Sequence, residues 1–294
     1  MIVNELIFKT MTNLTLQNLD KHISHLPSLS SIITRLLGLL QRDDVSMALL
    51  TAEIAGDQAL VARILRIANS PFYGLSSHIG SLQQAGTLLG LHTMHGIITA
   101  AGIIGHFPPQ QDSGFDRCSF WLHAIGTGIT AQVLARRSGL DSEQSFTAGL
   151  LHDIGKVVLA AYFEQDFVRV LEYRDQHDCL IREAEQQVLG FDHTQIGAKV
   201  ARHWKLPNLL IAAIRYHHEI PGKMTPLAEL VHVADIVCRG MEIGHGGDDL
   251  IPVLHADALP RLGLDWSDLR ATLPEIEQLN TRAGVFLDGI NECE

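Results

Sequence analysis

Residues 27–40, PSLSSIITRLLGLL, decide the class of fold. Leu29, Ile32, Ile33, Leu36, Leu37 and Leu40 follow the i, i+3, i+4, i+7 spacing that puts apolar side chains on one face of a helix, and Pro27 marks the boundary before them. The same period continues downstream. A second helix is read from about Ser46 to Ala55. A third starts after Asp57, whose carboxylate suits an N-cap, and runs through QALVARILRIAN until Ser70-Pro71 stops it. Ser81 and Gln84 form an S-x-x-Q capping pattern, Gly90 is placed to end that helix, and an apolar run reaches Ile104. No segment alternates with period two, so the expected class is all-α.

The pattern breaks at FPPQQDSG, residues 107–114, where prolines and polar residues replace the apolar repeat. The chain therefore divides on paper into a tail or first helix (residues 1–19), an N-terminal helical lobe (20–107), a linker (108–115) and a second helical domain (116–294). In that second lobe a long helix from Asp116 to Ser138 ends at Gly139. Asp141 and Gln144 open the helix that reaches LLHDIGK, where Gly155 is expected to interrupt or bend the chain. Later helices are read at residues 167–176, 182–189, 193–204, 208–218 and 226–239. GHGGDDL, residues 244–250, reads as a loop, and a last helix near Leu269–Leu279 must accommodate Pro274.

Composition narrows the function. A net charge of -11 with only 22 Lys and Arg argues against a broad phosphate-binding surface, so no nucleic-acid partner is expected. The longest apolar run, GIITAAGIIG at residues 96–105, is about half of the roughly 20 residues a membrane span needs. The start, MIVNELIFKT, has neither a basic region nor a small-residue cleavage site, so no export signal is read. Cys118, Cys179, Cys238 and Cys293 lie far apart without a C-x-x-C pair, and reduced thiols in a cytoplasm are the expectation.

Chemistry is concentrated in His123, His152-Asp153, His193, His217-His218 and Asp235, with Lys156 three residues after Asp153. Neutral imidazole and carboxylate are ligands for first-row divalent metals. Adjacent residues on a regular helix point about 100° apart, so His152 and Asp153 share an ion only if distant segments bring in further ligands. His123 in WLHAIG and Asp235 in VHVADIV lie inside apolar helices, where an unpaired polar group costs free energy. A metal, an Arg or a backbone N–H would each satisfy Asp235. His217-His218 alone could be a helix end and His193 a first-turn residue, and Lys156 could be an exposed lysine. His92 and His95 read as capping or surface residues. Arg63, Arg66 and Asn69 read as the polar side of a helix whose apolar face is Leu60, Ile64 and Ile67, or as groups for an anionic partner.

Taken in order, H…HD…H…HH…D resembles the HD superfamily of metal-dependent phosphohydrolases, with Lys156 matching the lysine of HDxxK. Upstream, LPSLSSII, AEIAGDQALVARILRIANSPFYG and SLQQAGTLLG resemble the HDOD family, HD-related output domains of bacterial signalling proteins. The resemblance implies a helical signal-transduction protein with signalling proteins as partners. It implies a pocket for one or two divalent ions (Fe, Mn, Ni, Co or Zn) held by His123, His152, Asp153, His193, His217, His218 and Asp235. The alternative it implies is an active phosphomonoesterase or phosphodiesterase on a small phosphate-containing ligand, with Asp153 and Lys156 in catalysis. The Gly-Tyr-Pro signature of HD-GYP cyclic-dinucleotide phosphodiesterases is missing after the paired histidines. Ser119 stands where some of those enzymes carry a glutamate for a third metal, so two ions are the upper expectation.

Overall fold

The computed structural model describes residues 14–15, 17–39, 45–69, 78–107, 114–219, 225–281 and 287. Among them helices are the only regular elements, with fifteen helices and no strand. Up to residue 107 lie α1 (Leu19–Ile23), α2 (Ser31–Leu39), α3 (Met47–Ile54), α4 (Gln58–Ala68) and α5 (Leu82–Ile104). From residue 114 onward lie α6 (Arg117–Ser138), α7 (Ser142–Leu151), α8 (Ile154–Tyr162), α9 (Glu164–His177) and α10 (Ile181–Leu189). The chain continues with α11 (His193–His203), α12 (Asn208–Tyr216), α13 (Pro226–Gly240), α14 (Ala258–Arg261) and α15 (Trp266–Asn280). The stop at Ser70-Pro71, most of the 108–115 linker, Cys293 and the side chains of His92 and His95 lie outside the described residues.

Local chemistry sets the helix starts. Ser46, Asp57, Ser81, Asp116 and Asp141 each accept a backbone N–H from the first turn they precede, a contact worth about 1 kcal/mol apiece. Gly139 ends α6 with φ 72°, a left-handed conformation that a side chain would strain. Gly90, expected to end a helix, does so: with φ 82° and ψ 165° it separates two helical stretches that together make up α5.

Two close crossings matter for the site. Where α6 meets α7, a Cβ on Gly149 would come within 2.7 Å of Gly128 Cα and Thr127 O, so the backbones approach without side chains between them. Where α8 meets α11, a Cβ on Gly155 would come within 2.1 Å of His193 O. Gly155 was expected to break the helix. The break instead falls one turn earlier, at His152-Asp153, and Gly155 lies in the first turn of α8 because α11 leaves no room for a side chain.

The hydrophobic core is continuous from Leu14 through the N-terminal helices to Ile276 and Leu287. Early and late helices pack together, α5 against α7 and α1 against α11, with Trp204 Nε1 donating to Pro27 O at 3.1 Å and Leu14 N donating to Asp166 Oδ2 at 3.2 Å. Arg63 and Asn69 serve this framework: Arg63 donates to Ala101 O, and Asn69 clamps both backbone groups of Ile79. Among the described residues Cys179 and Cys238 are free thiols. Among the described residues no single helix is long and apolar enough to cross a membrane.

Candidate metal centre

Five separate segments deliver the sequence-derived residues to one place. His123 comes from the middle of α6, and His152-Asp153 form the joint between α7 and α8. His193 is the first residue of α11, capped by Asp192. His217 and His218 form the turn after α12, and Asp235 lies in α13. The joint resolves the difficulty posed by adjacent ligands: leaving helical geometry between α7 and α8 lets His152 Nε2 and Asp153 Oδ2 lie 3.2 Å apart.

The set falls into two halves that share Asp153. In one, Asp153 Oδ1 lies 3.1 Å from His193 Nε2 and 3.5 Å from His217 Nε2. These residues with His218 offer ligand atoms that all lie within 4.8 Å of one another. In the other, His123, His152 and Asp153 meet the same criterion, and Asp235 Oδ1 lies 3.0 Å from His123 Nε2 and 3.8 Å from His152 Nε2. All seven are buried except His218, which is partly exposed.

Ring orientations are fixed from behind. Nδ1 of His152 donates to Gly149 O at 2.6 Å and Nδ1 of His217 donates to Ile214 O at 2.9 Å. In its neutral form each ring therefore presents its Nε2 lone pair to the pocket. Glu185, fully buried in α10, accepts from His193 Nδ1 at 2.6 Å.

Burial and neighbours then set the charge states. Burial pulls His152 down, but Asp153 and Asp235 more than reverse this and push it up to about 9. Burial dominates at His217, which falls to about 4, and at His218, which lies well below the usual histidine range. Burial also favours neutral Asp153, yet His152, Lys156 and His193 hold its carboxyl well below the ordinary value. Arg239 and His123 do the same for Asp235 against its burial.

The residues fit a metal. His152 Nε2, His193 Nε2, His217 Nε2, Asp153 Oδ1 and Asp235 Oδ2 are buried without a hydrogen-bond partner. His123 Nε2, though near Asp235, also lacks hydrogen-bond alignment. Converging buried acceptors with no donor carry a large desolvation cost that a cation offsets. Imidazole with carboxylate is the donor set of transition metals rather than of Mg or Ca.

Lys156 is not exposed. It is fully buried and donates to Asp153 Oδ2 at 2.5 Å and to Gly246 O at 2.6 Å. The GHGGDDL loop thus reaches the pocket, and His245 N donates to Ser119 O at 3.0 Å beside His123. Three residues were not singled out from the sequence: Glu185, Arg239 and Asp248. Arg239 donates from Nε to Asp235 Oδ1 at 3.0 Å and from Nη1 to Asp248 Oδ1 at 2.7 Å. Its i+4 spacing from Asp235 was a usable signal. Glu185 gave none, because it sits in a polar stretch that reads as a solvated face.

An all-α domain with a buried H…HD…H…HH…D constellation defines a protein of the HD superfamily. The family model for the HDOD domain matches residues 26–220, and the chain belongs to the HDOD family. It resembles in fold an HDOD domain protein from Geobacter sulfurreducens (24% identical, TM-score 0.77, covering 89% of this chain and 93% of that one). It is also similar to a structure from Shewanella amazonensis named as a candidate phosphohydrolase (25% identical, TM-score 0.72, covering 92% and 97%). Among curated proteins, ribonuclease Y of Lactobacillus gasseri is 30% identical over 149 residues, 51% of this chain and 22% of that protein. The chain spans less than half the length of the first curated relatives it matches.

Proposed function

We propose that this protein is a bacterial signal-transduction module of the HDOD type whose pocket holds a divalent transition metal (Fe, Mn, Ni, Co or Zn) and which acts through binding of partner proteins or a small ligand. The observation that carries this reading is the state of Lys156. The lysine expected to meet a phosphate is fully buried and committed to Asp153 and the Gly246 carbonyl. Six of the seven His and Asp side chains around it are closed off with it. A pocket sealed in this way suits a resident ion better than a passing phosphoester.

A second reading, a metal-dependent phosphohydrolase, is favoured by unpartnered buried ligand atoms on six of the seven residues and by similarity to ribonuclease Y and to the Shewanella protein. A bound divalent ion would supply a more acidic water and neutralise phosphate charge. Asp153 would hold the ion, and Lys156, released from the Gly246 carbonyl, would meet the phosphate.

The deciding experiment is elemental analysis of untagged protein, followed by assay of Mn- or Fe-loaded protein on generic and nucleotide phosphoesters. Bound metal without turnover is the expected result. Turnover abolished in Asp153→Ala would replace the regulatory reading by the enzymatic one, and absence of metal after reconstitution would overturn the metal pocket.

A further inference from the structure

GHGGDD, residues 244–249, closes one side of the pocket without contributing an apolar side chain. Gly246, Gly247 and Asp248 are buried, yet the loop has no regular secondary structure. Its backbone lies directly on α6: a Cβ on Gly244, where φ is 63°, would come within 2.2 Å of His123 N. What holds the loop in place is polar. His245 N donates to Ser119 O at 3.0 Å, and Arg174 of α9 donates to Gly247 O. His245 and Asp249 pair with each other at 2.7 Å, so among the described residues Asp248 is the side chain that fastens the loop to the helices. Its Oδ2 accepts from the N of Ile181, the first residue of α10, at 2.9 Å, and its Oδ1 accepts from Arg239 Nη1 of α13 at 2.7 Å.

Gly246 stands between two cations. Its carbonyl accepts from Lys156 Nζ at 2.6 Å, and a Cβ built on its Cα would lie 2.5 Å from Arg239 Nη2. Lys156 is fully buried, and the Arg239 side chain is 5% exposed. A neutral peptide group is a weaker partner for two such charges than an oxyanion, whose bonds to an ammonium and a guanidinium are charge-assisted at both ends. We infer that residues 244–249 form an autoinhibitory latch: the Gly246 peptide occupies the place of a small phosphate-type oxyanion between Lys156 and Arg239, and Asp248 holds it there. Displacing the latch breaks polar bonds that water can replace and exposes little apolar surface, so it is a local opening rather than an unfolding of the domain. Glycine at 244, 246 and 247 gives the backbone the freedom that such a movement needs. The inference rests on the reading of the pocket as one that takes a small ligand, and it names the class of that ligand and the segment that excludes it.

The test uses the full chain in two arms. In the first, metal-free protein is acetylated with acetic anhydride and each lysine is followed by peptide mass spectrometry, with exposed Lys205 as the internal reference. The parent is expected to protect Lys156, whereas Asp248→Asn and Arg174→Ala are expected to acetylate it on the order of tenfold faster. Arg174→Ala removes an anchor that lies outside the pocket and keeps the test decisive if circular dichroism shows that Asp248→Asn does not fold. In the second arm, inorganic phosphate is titrated calorimetrically into each protein with and without Mn(II). Both variants are expected to bind phosphate about tenfold more tightly than the parent, because a larger fraction of molecules is open. Adding Lys156→Met to Arg174→Ala is expected to abolish that gain. Equal protection of Lys156 in the parent and the folded variants would overturn the latch. Faster acetylation without tighter phosphate binding would overturn the oxyanion place behind it. Neither arm requires an ion, so failure to load Mn(II) would remove the metal reading while acetylation and phosphate binding still judge the latch.

Discussion

Glu185 accepts from both the backbone N of His193, at 2.8 Å, and its Nδ1, at 2.6 Å, so one carboxylate fixes where α11 starts and which way its first ring points. Its other oxygen is buried without a partner, which concentrates its charge on that imidazole. Glu185→Gln keeps the shape and removes the charge. A tenfold to hundredfold loss of metal affinity is expected, measured by competition with a chelator. Metal-free thermal melts separate this from unfolding, and unchanged affinity would show that Glu185 serves the fold alone.

Gly155→Ala would place a methyl 2.1 Å from the His193 carbonyl, a backbone atom that cannot swing aside. A loss of about 1–3 kcal/mol is expected from overpacking, together with weaker metal binding, because the shift separates Asp153 from His193. Gly56→Ala, where no atom lies within 4 Å, is the control and should stay within about 0.5 kcal/mol of the parent. Urea denaturation of both variants measures the difference.

The metal-free protein is expected to be most stable near pH 6.5. His217 and His232 fall to about 4, mainly through burial, from the ordinary 6.5. The stability they contribute is therefore present above 6.5 and is lost as the pH falls through 4. His152, raised to about 9 by Asp153 and Asp235 against its burial, behaves oppositely. Its contribution is complete below 6.5 and disappears as the pH rises through 9. Each limb amounts to a few kcal/mol, and urea midpoints from pH 4 to 9 should trace a maximum. A curve that rises steadily toward pH 9 would contradict the His152 assignment.

Helix starts were readable because their causes are local. Ser46, Asp57, Asp116 and Asp141 each cap the helix that immediately follows, and the capping side chain and the N–H it accepts lie within three residues. Gly155 was readable as unusual but not for the right reason, since the carbonyl that excludes its side chain belongs to a residue 38 positions away, His193 against Gly155. Lys156 posed the same difficulty. Its partner Gly246 is 90 residues on, and from the sequence an exposed lysine and a phosphate-binding lysine were both open.

By itself the sequence determined the helical class, most helix boundaries and the seven His and Asp residues of the pocket. Periodicity, capping and residue type are properties of short segments, and the ligand types are set by coordination chemistry. The tertiary structure alone decided that Asp153 is shared between two halves, that Glu185 stands behind His193, and that Arg239 links Asp235 to the 244–250 loop. Those relationships are distances between helices that cross, and they depend on glycines that let backbones touch and on a core that spans the chain. Whether a buried carboxylate meets a cation from the protein or leaves an oxygen free for a metal is settled only by that packing.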